Sequence, residues 1–449
     1  MIRDYAKKYY GEQNRNCAES VFLAANEALG LGLRDEDAKL IAGFGGGIGC
    51  GSLCGALAGA VAILGRAMVE DKAHTAAGFR EACAALKKDF EARLGSILCS
   101  EIKPKNFNDK DRCLATVLVA SDVLEDALRA VGVEPEEPLS ADEIKRVKGL
   151  GFLQQKGTRK FNARVITRNG KITAQEMQRI AEAAQKFGAG EITMTTRLTV
   201  EIQGVPYGQI EPLRAYLAET GLETGGTGSK VRPVVSCKGT TCQYGLCDTY
   251  ALSRKLHELF YKGYRDVKLP HKFKIAVGGC PNNCVKPDLN DFGVIGQRVP
   301  ALNADVCKGC KKCAVEKGCP IGAAKVADGK LVIDPAVCNN CGRCVDKCSF
   351  QALHGTYGYR VCIGGRWGKQ VAQGRMLNKI FTSEDEVIAV LEKTILLFRE
   401  QGHTGERLAE TIDRLGFDNV ETQLLGDALL QRKAEILSAE THLAGGATC

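Results

Sequence analysis

Two cysteine runs of identical spacing constrain this chain more than any other feature. Cys307-Lys-Gly-Cys310-Lys-Lys-Cys313 is followed by Cys319-Pro320, and Cys338-Asn-Asn-Cys341-Gly-Arg-Cys344 by Cys348. Each run is C-x2-C-x2-C, short enough for one loop to wrap three corners of a cubane while the fourth ligand comes from beyond the other run. That rule groups Cys307, Cys310, Cys313 and Cys348 on one [4Fe-4S] centre, and Cys338, Cys341, Cys344 and Cys319 on a second. A pair of zinc sites is the bland alternative, but eight cysteines in this order, with Cys-Pro, favour iron–sulfur. Val306 to Phe350 has no long periodic run, which fits a small insertion organised by metal.

The chain has 449 residues, of which 21 are cysteine, 45% hydrophobic and 25% charged. That length implies two to four domains, each able to bury a core. C-x-x-C runs in a long chain suit metal centres in a reducing cytoplasm rather than a disulfide scaffold. Met1 to Lys8 leads into a charged helix, not an apolar secretory leader. The formal charge of +8 is spread without blocks, so a nucleic-acid surface is not expected. Leu40 to Gly65 is uncharged but interrupted by nine glycines, which points to a turn feeding a buried helix and not a membrane span.

Periodicity separates two fold classes. Up to about Val133 the pattern is helical: Cys17 to Gly30, Cys54 to Leu64, Ala73 to Leu94 and Arg112 to Val131. Glu134-Pro-Glu-Glu-Pro138 breaks it, and a linker is expected over 134–146. An α+β pattern follows. Phe161 to Arg168 reads as a strand, Thr173-Ala-Gln-Glu176 as a capping box, and Ile192 to Gln203 as one alternating strand. A helix is expected from about Tyr207 to Thr220. Ser383-Glu-Asp-Glu386 opens a helix towards Gln401, with the next over Glu406 to Leu415.

A second constellation is Cys237-Lys-Gly-Thr-Thr-Cys242 with Cys280-Pro-Asn-Asn-Cys284; two pairs from distant segments can also hold a cubane, and Cys247 competes for one position. Lys272 and Lys274 alternate with Phe273 and Ile275, so a strand puts both ammonium groups on one face, which is reasonable only under solvent or an anion. Tyr359 to Arg375 is glycine-rich and basic, and no Gly-Lys-Ser/Thr follows to make it a phosphate loop.

Leu269 to Cys284, together with Thr195-Thr-Arg197, Arg164 ahead of Asn169-Gly170, and Val231-Arg-Pro233, resembles the siroheme-binding half-domain of sulfite and nitrite reductases. The likeness runs from Gly149 to Gly296 and resumes from Gly358 to Gly416; between them Val306 to Phe350 resembles bacterial two-cluster ferredoxins, with five rather than three residues after Cys313. This arrangement is similar to the small anaerobic sulfite reductase catalytic subunits. The resemblance implies a siroheme coupled to a third [4Fe-4S] cluster on Cys237, Cys242, Cys280 and Cys284, with Cys284 bridging to the siroheme iron. Four rather than five residues inside the first pair leave Cys242 and Cys247 both open. The resemblance also implies a substrate quartet of Arg164, Arg232, Lys272 and Lys274, with Arg197 on siroheme carboxylates. Arg360, Arg366, Lys369 and Arg375 are further candidates for those carboxylates.

The activity so implied is six-electron reduction of sulfite to sulfide, fed through the ferredoxin-type clusters by an external donor such as a ferredoxin or a reductase subunit. Nitrite reduction to ammonia, or a non-catalytic electron-transfer or redox-sensing role, are the alternatives. One half-domain carrying both residue sets implies a homodimer.

The first domain has its own cysteines. Gly45-Gly-Gly-Ile-Gly-Cys50-Gly-Ser-Leu-Cys54-Gly-Ala-Leu-Ala-Gly59, with Cys17, Cys99 and Cys113, resembles a redox-protein family named for its C-GCAxxG-C-C pattern. Cys50 and Cys54, four apart at a helix start, are expected to face one side as a dithiol, or to join Cys17 and Cys113 on a metal or sulfur species. Cys83 and Cys362 read as structural, and Cys449 as an unpaired tail thiol. The expected organisation is a helical domain over 1–133, the linker, an α+β reductase half-domain over 147–300 and 357–430, an inserted two-cluster ferredoxin domain over 301–356, and a tail over 431–449.

Overall fold

A computed structural model describes residues 1–133, 139–156 and 158–440. The Glu134–Pro138 break, the end of the tail and Cys449 lie outside them. Two compact units emerge: one holds Met1–Ala141 with Lys156–Arg159, the other Asp142–Gln155 and the chain from Lys160 onward.

The first unit is helical, as its periodicity requires. Asn16 caps the helix Cys17–Leu29 in a full capping box with Glu19, and Gly30 stops it in the left-handed region at φ 62°. Helices Gly55–Met68, Phe79–Leu94, Cys99–Asn106 and Leu114–Ala130 follow. Ile63, Leu64, Phe90, Val117 and Leu124 build the core with alanines of the Cys17 and Gly55 helices. The uncharged Leu40–Gly65 stretch resolves into a tight turn and the Gly55 helix. No helix among the described residues is long and apolar enough to cross a membrane. One expectation fails here. Ile48 and Gly49 take left-handed backbone angles, so Cys50 sits in an irregular turn and Cys54 at the cap of a separate helix. Cys50 is exposed and Cys54 buried, and they share no helix face.

The helix Ala141–Gly149, which belongs to the second unit from Asp142 onward, lies where the end of the linker is expected. A four-stranded antiparallel sheet follows, in the order β1 (Phe152–Gln154), β2 (Lys160–Val165), β4 (Val200–Pro206), β3 (Ile192–Met194). Helix Ala174–Phe187 starts at the Thr173–Glu176 capping box, and Ile210–Ala218 follows β4. The single strand expected over Ile192–Gln203 is instead a hairpin: Ile192 pairs with Ile202 and Met194 with Val200. The reversal is made by Thr195 to Thr199, whose hydroxyls bond at 2.7 Å, with Leu198 at φ 59°. It leaves Met194 on the surface and puts Arg197 at the hairpin tip.

The second sheet runs β11 (Arg375–Phe381), β10 (Leu353–Ile363), β7 (Phe292–Leu302), β6 (Ile275–Gly278), β5 (Val235–Ser236). Phe273, Ile275, Val277, Phe292, Val294, Val361 and Ile363 face a core closed by the helix Glu384–Gln401, which Ser383 caps. β7 and β10 pair over their full lengths, from Ile363 opposite Phe292 to Leu353 opposite Leu302. The cysteine-rich insertion is therefore the loop of one long hairpin, entering and leaving at neighbouring positions. Within it, β8 (Ala324–Ala327) and β9 (Lys330–Ile333) form a small hairpin.

Candidate functional site

β5 and β6 run parallel and end side by side, so a cysteine loop leaves the end of each strand at the same edge. Glycine makes the meeting of these loops possible: a Cβ on Gly279 would lie 2.8 Å from Gly239 Cα. The Gly279 N–H donates to Cys237 Sγ at 3.1 Å. Asn283, at φ 50°, turns the second loop back on itself. Cys237, Cys242, Cys280 and Cys284 line one cavity of about 380 Å³, with Gly170 and Leu198 across from them. Burial first, then the Cys237, Cys284 and Cys242 thiols, push the Cys280 thiol above its ordinary value.

Cys247 is not in that lining. It lies under the Gly278 carbonyl, and burial pushes it up to about 12, which favours the inert thiol. Among the described residues no three His, Cys, Asp or Glu side chains converge tightly enough for a single ion.

A cationic cluster lies on the opposite side of the sheet from the core. Phe273 and Ile275 are fully buried in that core, and Lys272 and Lys274 alternate with them on the other face. Arg164, on β2, donates to Glu201 on β4 at 2.6 and 2.9 Å. Arg197 reaches from the hairpin tip to Asn290 Oδ1 at 2.9 Å and the Pro233 carbonyl at 2.8 Å. Arg232 donates to the Gly226 carbonyl. Desolvation, then the charge of Arg232, lowers Arg197 to about 10. Desolvation, then Arg197 and Arg407, lowers Lys274 to about 8, while Asp291 opposes that shift. His271, beside them, is held down to about 4 by burial, Arg407 and Lys272, so it is neutral at pH 7.

Sequence reasoning missed the anchor of this cluster. Asp291 has no exposed surface, yet it accepts two bonds from Arg407, at 2.8 and 2.9 Å, and one from the Lys274 backbone N–H at 2.8 Å. Burial pushes its carboxyl up, and the Arg407 guanidinium pulls against that.

The carboxylate-binding candidates divide. Arg366 is nearly buried and paired with Glu410 at 3.0 Å, and Arg375 is paired with Asp413 at 2.6 Å. Both acids lie on the helix Leu408–Leu415. Arg360, on β10, keeps a buried Nε with no hydrogen-bond partner among the described residues, and Lys369 is exposed.

In the insertion, Val315, Ala324, Leu331 and Leu353 form a small core against which Cys307, Cys313, Cys319, Cys344 and Cys348 pack. Backbone N–H groups of Leu331 and Gly309 hold the Cys307 thiol below its ordinary value. Burial raises Cys319, but the N–H groups of Ile321, Ala324, Ala323 and Gly322 outweigh it and leave that thiol lowered. Such N–H cradles stabilise thiolates and fit a cluster's charge. Cys344 is pushed up to about 11 by burial, then by the Cys338, Cys341 and Cys319 thiols. Cys310 lies in the first loop of the insertion. Cys341 and Cys280 line the same cavity of about 180 Å³.

In the first unit, Cys17, Cys54, Cys99 and Cys113 line a cavity of about 210 Å³ that excludes Cys50. Cys362 is fully buried with its sulfur 3.6 Å from the Gly293 carbonyl, and Cys83 is half-buried on Phe79–Leu94.

Three family models match the chain: "Nitrite and sulphite reductase 4Fe-4S domain" over residues 227–432, "Nitrite/Sulfite reductase ferredoxin-like half domain" over 153–220, and "Putative redox-active protein (C_GCAxxG_C_C)" over 15–127. The chain is 30% identical over 247 residues to a coenzyme F420-dependent sulfite reductase of Methanocaldococcus jannaschii, covering 54% of this chain and 38% of that one. It is 29% identical over 264 residues to an uncharacterized protein of the same organism, covering 59% and 90%. It is 31% identical over 169 residues to one subunit of the anaerobic sulfite reductase of Salmonella typhimurium, covering 34% and 48%. The match thus spans less than half the length of either named reductase.

Proposed function

Because this chain belongs to the nitrite and sulfite reductase family, we propose that it reduces sulfite to sulfide, using a siroheme coupled to one [4Fe-4S] cluster and fed by two more clusters in the β7–β10 insertion. The observation that carries this reading is a pairing: four thiols around one cavity at the β5–β6 edge, and a cluster of cations anchored by a single buried carboxylate. Cys237, Cys242, Cys280 and Cys284 would hold the coupled cluster, and Arg197, Arg360 and Lys369 are the cations proposed for siroheme carboxylates. When bound, siroheme and its cluster supply the low-potential electrons and the iron on which a sulfur oxyanion can lose oxygen.

The protein's share is binding and protons. Sulfite is an anion that needs donors on each oxygen. Arg164 and Arg232 offer planar forks, and Lys272 and Lys274 offer ammonium donors. Arg164 is already turned by Glu201, so its fork is oriented before substrate arrives. Lys274, at about 8, is charged at pH 7 yet gives up a proton far more readily than an ordinary lysine. That suits donation to an oxygen leaving as water. Asp291 holds Lys274 by its backbone and Arg407 by its side chain, fixing both cations at the site.

Electrons would enter from an external donor at the Cys307 group, pass to the Cys338 group and then to the Cys237 group. The cavity shared by Cys341 and Cys280 supports that last step. One half-domain carrying both the cations and the cysteines supports a homodimer in which each chain lends its cations to its partner's cofactor.

The test is turnover by the anaerobically purified, siroheme-loaded chain with reduced viologen, measuring sulfide from sulfite and ammonia from nitrite. Sulfide formation with the higher kcat/KM for sulfite is expected. Ammonia formation with negligible sulfide would make it a nitrite reductase, and no turnover of either would make it a carrier.

A further inference from the structure

The cysteine cavity of the N-terminal unit plays no part in that reaction, and its construction is specific. Four helices begin at its four cysteines. Cys17 is the first residue of Cys17–Leu29 and Cys99 the first of Cys99–Asn106. Cys54 is the N-cap of Gly55–Met68 and Cys113 the N-cap of Leu114–Ala130. Each helix start carries a partial positive charge of about half a unit. Lys103 and Arg112 also line the cavity, and among the described residues no carboxylate does.

The backbone fixes where these sulfurs stand. A bridge between Leu53 and Leu98 brings Cys54 beside Cys99, through Cys54 N–H to the Ile97 carbonyl at 2.9 Å and Cys99 N–H to the Ser52 carbonyl at 2.8 Å. The Cys113 N–H donates to Tyr10 Oη at 2.9 Å. Gly55 is required because a Cβ there would lie 2.8 Å from Cys17 Sγ, and Gly47 because its Cβ would lie 2.6 Å from Cys99 Cβ. The glycines of this stretch are spent on bringing two cysteines in close.

An independent observation points to a guest. Thr116 lines the cavity and is 3% exposed, and its Oγ1 has no hydrogen-bond partner among the described residues. A buried hydroxyl left unpaired costs about 1–3 kcal/mol, so a missing acceptor is the natural explanation. The guest is therefore anionic, accepts hydrogen bonds and offers several separated corners to thiolates, since these sulfurs do not converge as one ion would need. A cubane with four thiolate ligands has those properties.

We propose that Cys17, Cys54, Cys99 and Cys113 hold a further [4Fe-4S] cluster, distinct from those of the reductase unit. Loading is ligand exchange from a thiolate-ligated cluster donor: at each corner one Fe–S bond to a donor thiolate breaks as one Fe–S bond to the cysteine forms, the cysteine's proton passes to the departing thiolate, and no sulfur changes oxidation state.

Two measurements on the anaerobic full-length chain decide it. In the iron-loaded protein, iodoacetamide followed by peptide mapping is expected to label exposed Cys50 and to spare Cys17, Cys54, Cys99 and Cys113; removing iron with a chelator and oxidant makes all four reactive. The double substitution Cys17→Ser, Cys113→Ser is expected to lose about four iron and four acid-labile sulfide per chain, one cubane's worth, with siroheme absorbance unchanged. Equal iron and sulfide in the folded variant and the parent, or stoichiometric zinc released from the parent, overturns the proposal. If the variant fails to fold, labelling of the four cysteines in the iron-loaded parent overturns it alone.

Discussion

Lys274 gives the sharpest kinetic expectation. Desolvation and the neighbouring arginines lower its pKa from 10.5 to about 8. Charged and neutral forms then stand near 10:1 at pH 7 and 1:10 at pH 9. With Lys274 as proton donor, kcat should fall about tenfold between those pH values, where a lysine of ordinary pKa would leave it level. Lys274→Arg keeps the charge but holds its proton well beyond pH 10. It should lower kcat about a hundredfold or more and remove the limb near pH 8. Sulfite's own ionisation is common to both proteins, so the comparison isolates the side chain. The assay is the pH profile of viologen-linked sulfite reduction from pH 6 to 10. A limb near pH 8 that survives in the arginine variant would refute the assignment. The sign for stability is opposite: between pH 8 and 10.5 the unfolded chain holds the proton that the folded chain has lost, so this residue's contribution rises with pH across that window.

Other outcomes follow from the same contacts. Asp291→Asn leaves Arg407 buried without its counter-charge and should cost about 3–5 kcal/mol in denaturant unfolding, whereas Asp291→Leu with Arg407→Met should cost much less. Cys242→Ala should lose the coupled cluster's iron and the siroheme spectrum, while Cys247→Ala should keep both. Thr173→Ala removes the cap that bonds the Glu176 N–H at 3.1 Å and should cost about 1 kcal/mol, read by thermal melting. Sedimentation of the loaded protein should report a dimer, and a fully active monomer would remove the shared-site reading.

What the sequence discloses follows the range of the interaction that encodes it. The Thr173–Glu176 box and the Lys272–Ile275 alternation are local, and each corresponds to an element or a buried face in the structure. The Thr195–Thr199 reversal was hidden because it uses no glycine, proline or asparagine and its alternation continues through the turn. Asp291 and Arg407 are 116 residues apart, and neither carries a local signature, so only the folded chain reveals that pair. The same holds for Glu410 and Asp413, which occupy two arginines of the basic loop. In the first unit, spacing points to Cys50 with Cys54, but Gly51, at φ 79°, turns the chain between them and the Leu53–Leu98 bridge supplies Cys99 instead.

On the proposed function, Cys284 would hold the cluster of the β5 and β6 loops beside the siroheme and couple the two groups. Mössbauer spectroscopy of the iron-57-enriched, oxidised protein tests this directly. A diamagnetic cubane bridged to a paramagnetic iron must show magnetic splitting from that iron, and Cys284→Ser must abolish it. A cubane spectrum that is diamagnetic in the parent, with siroheme present, would contradict the account.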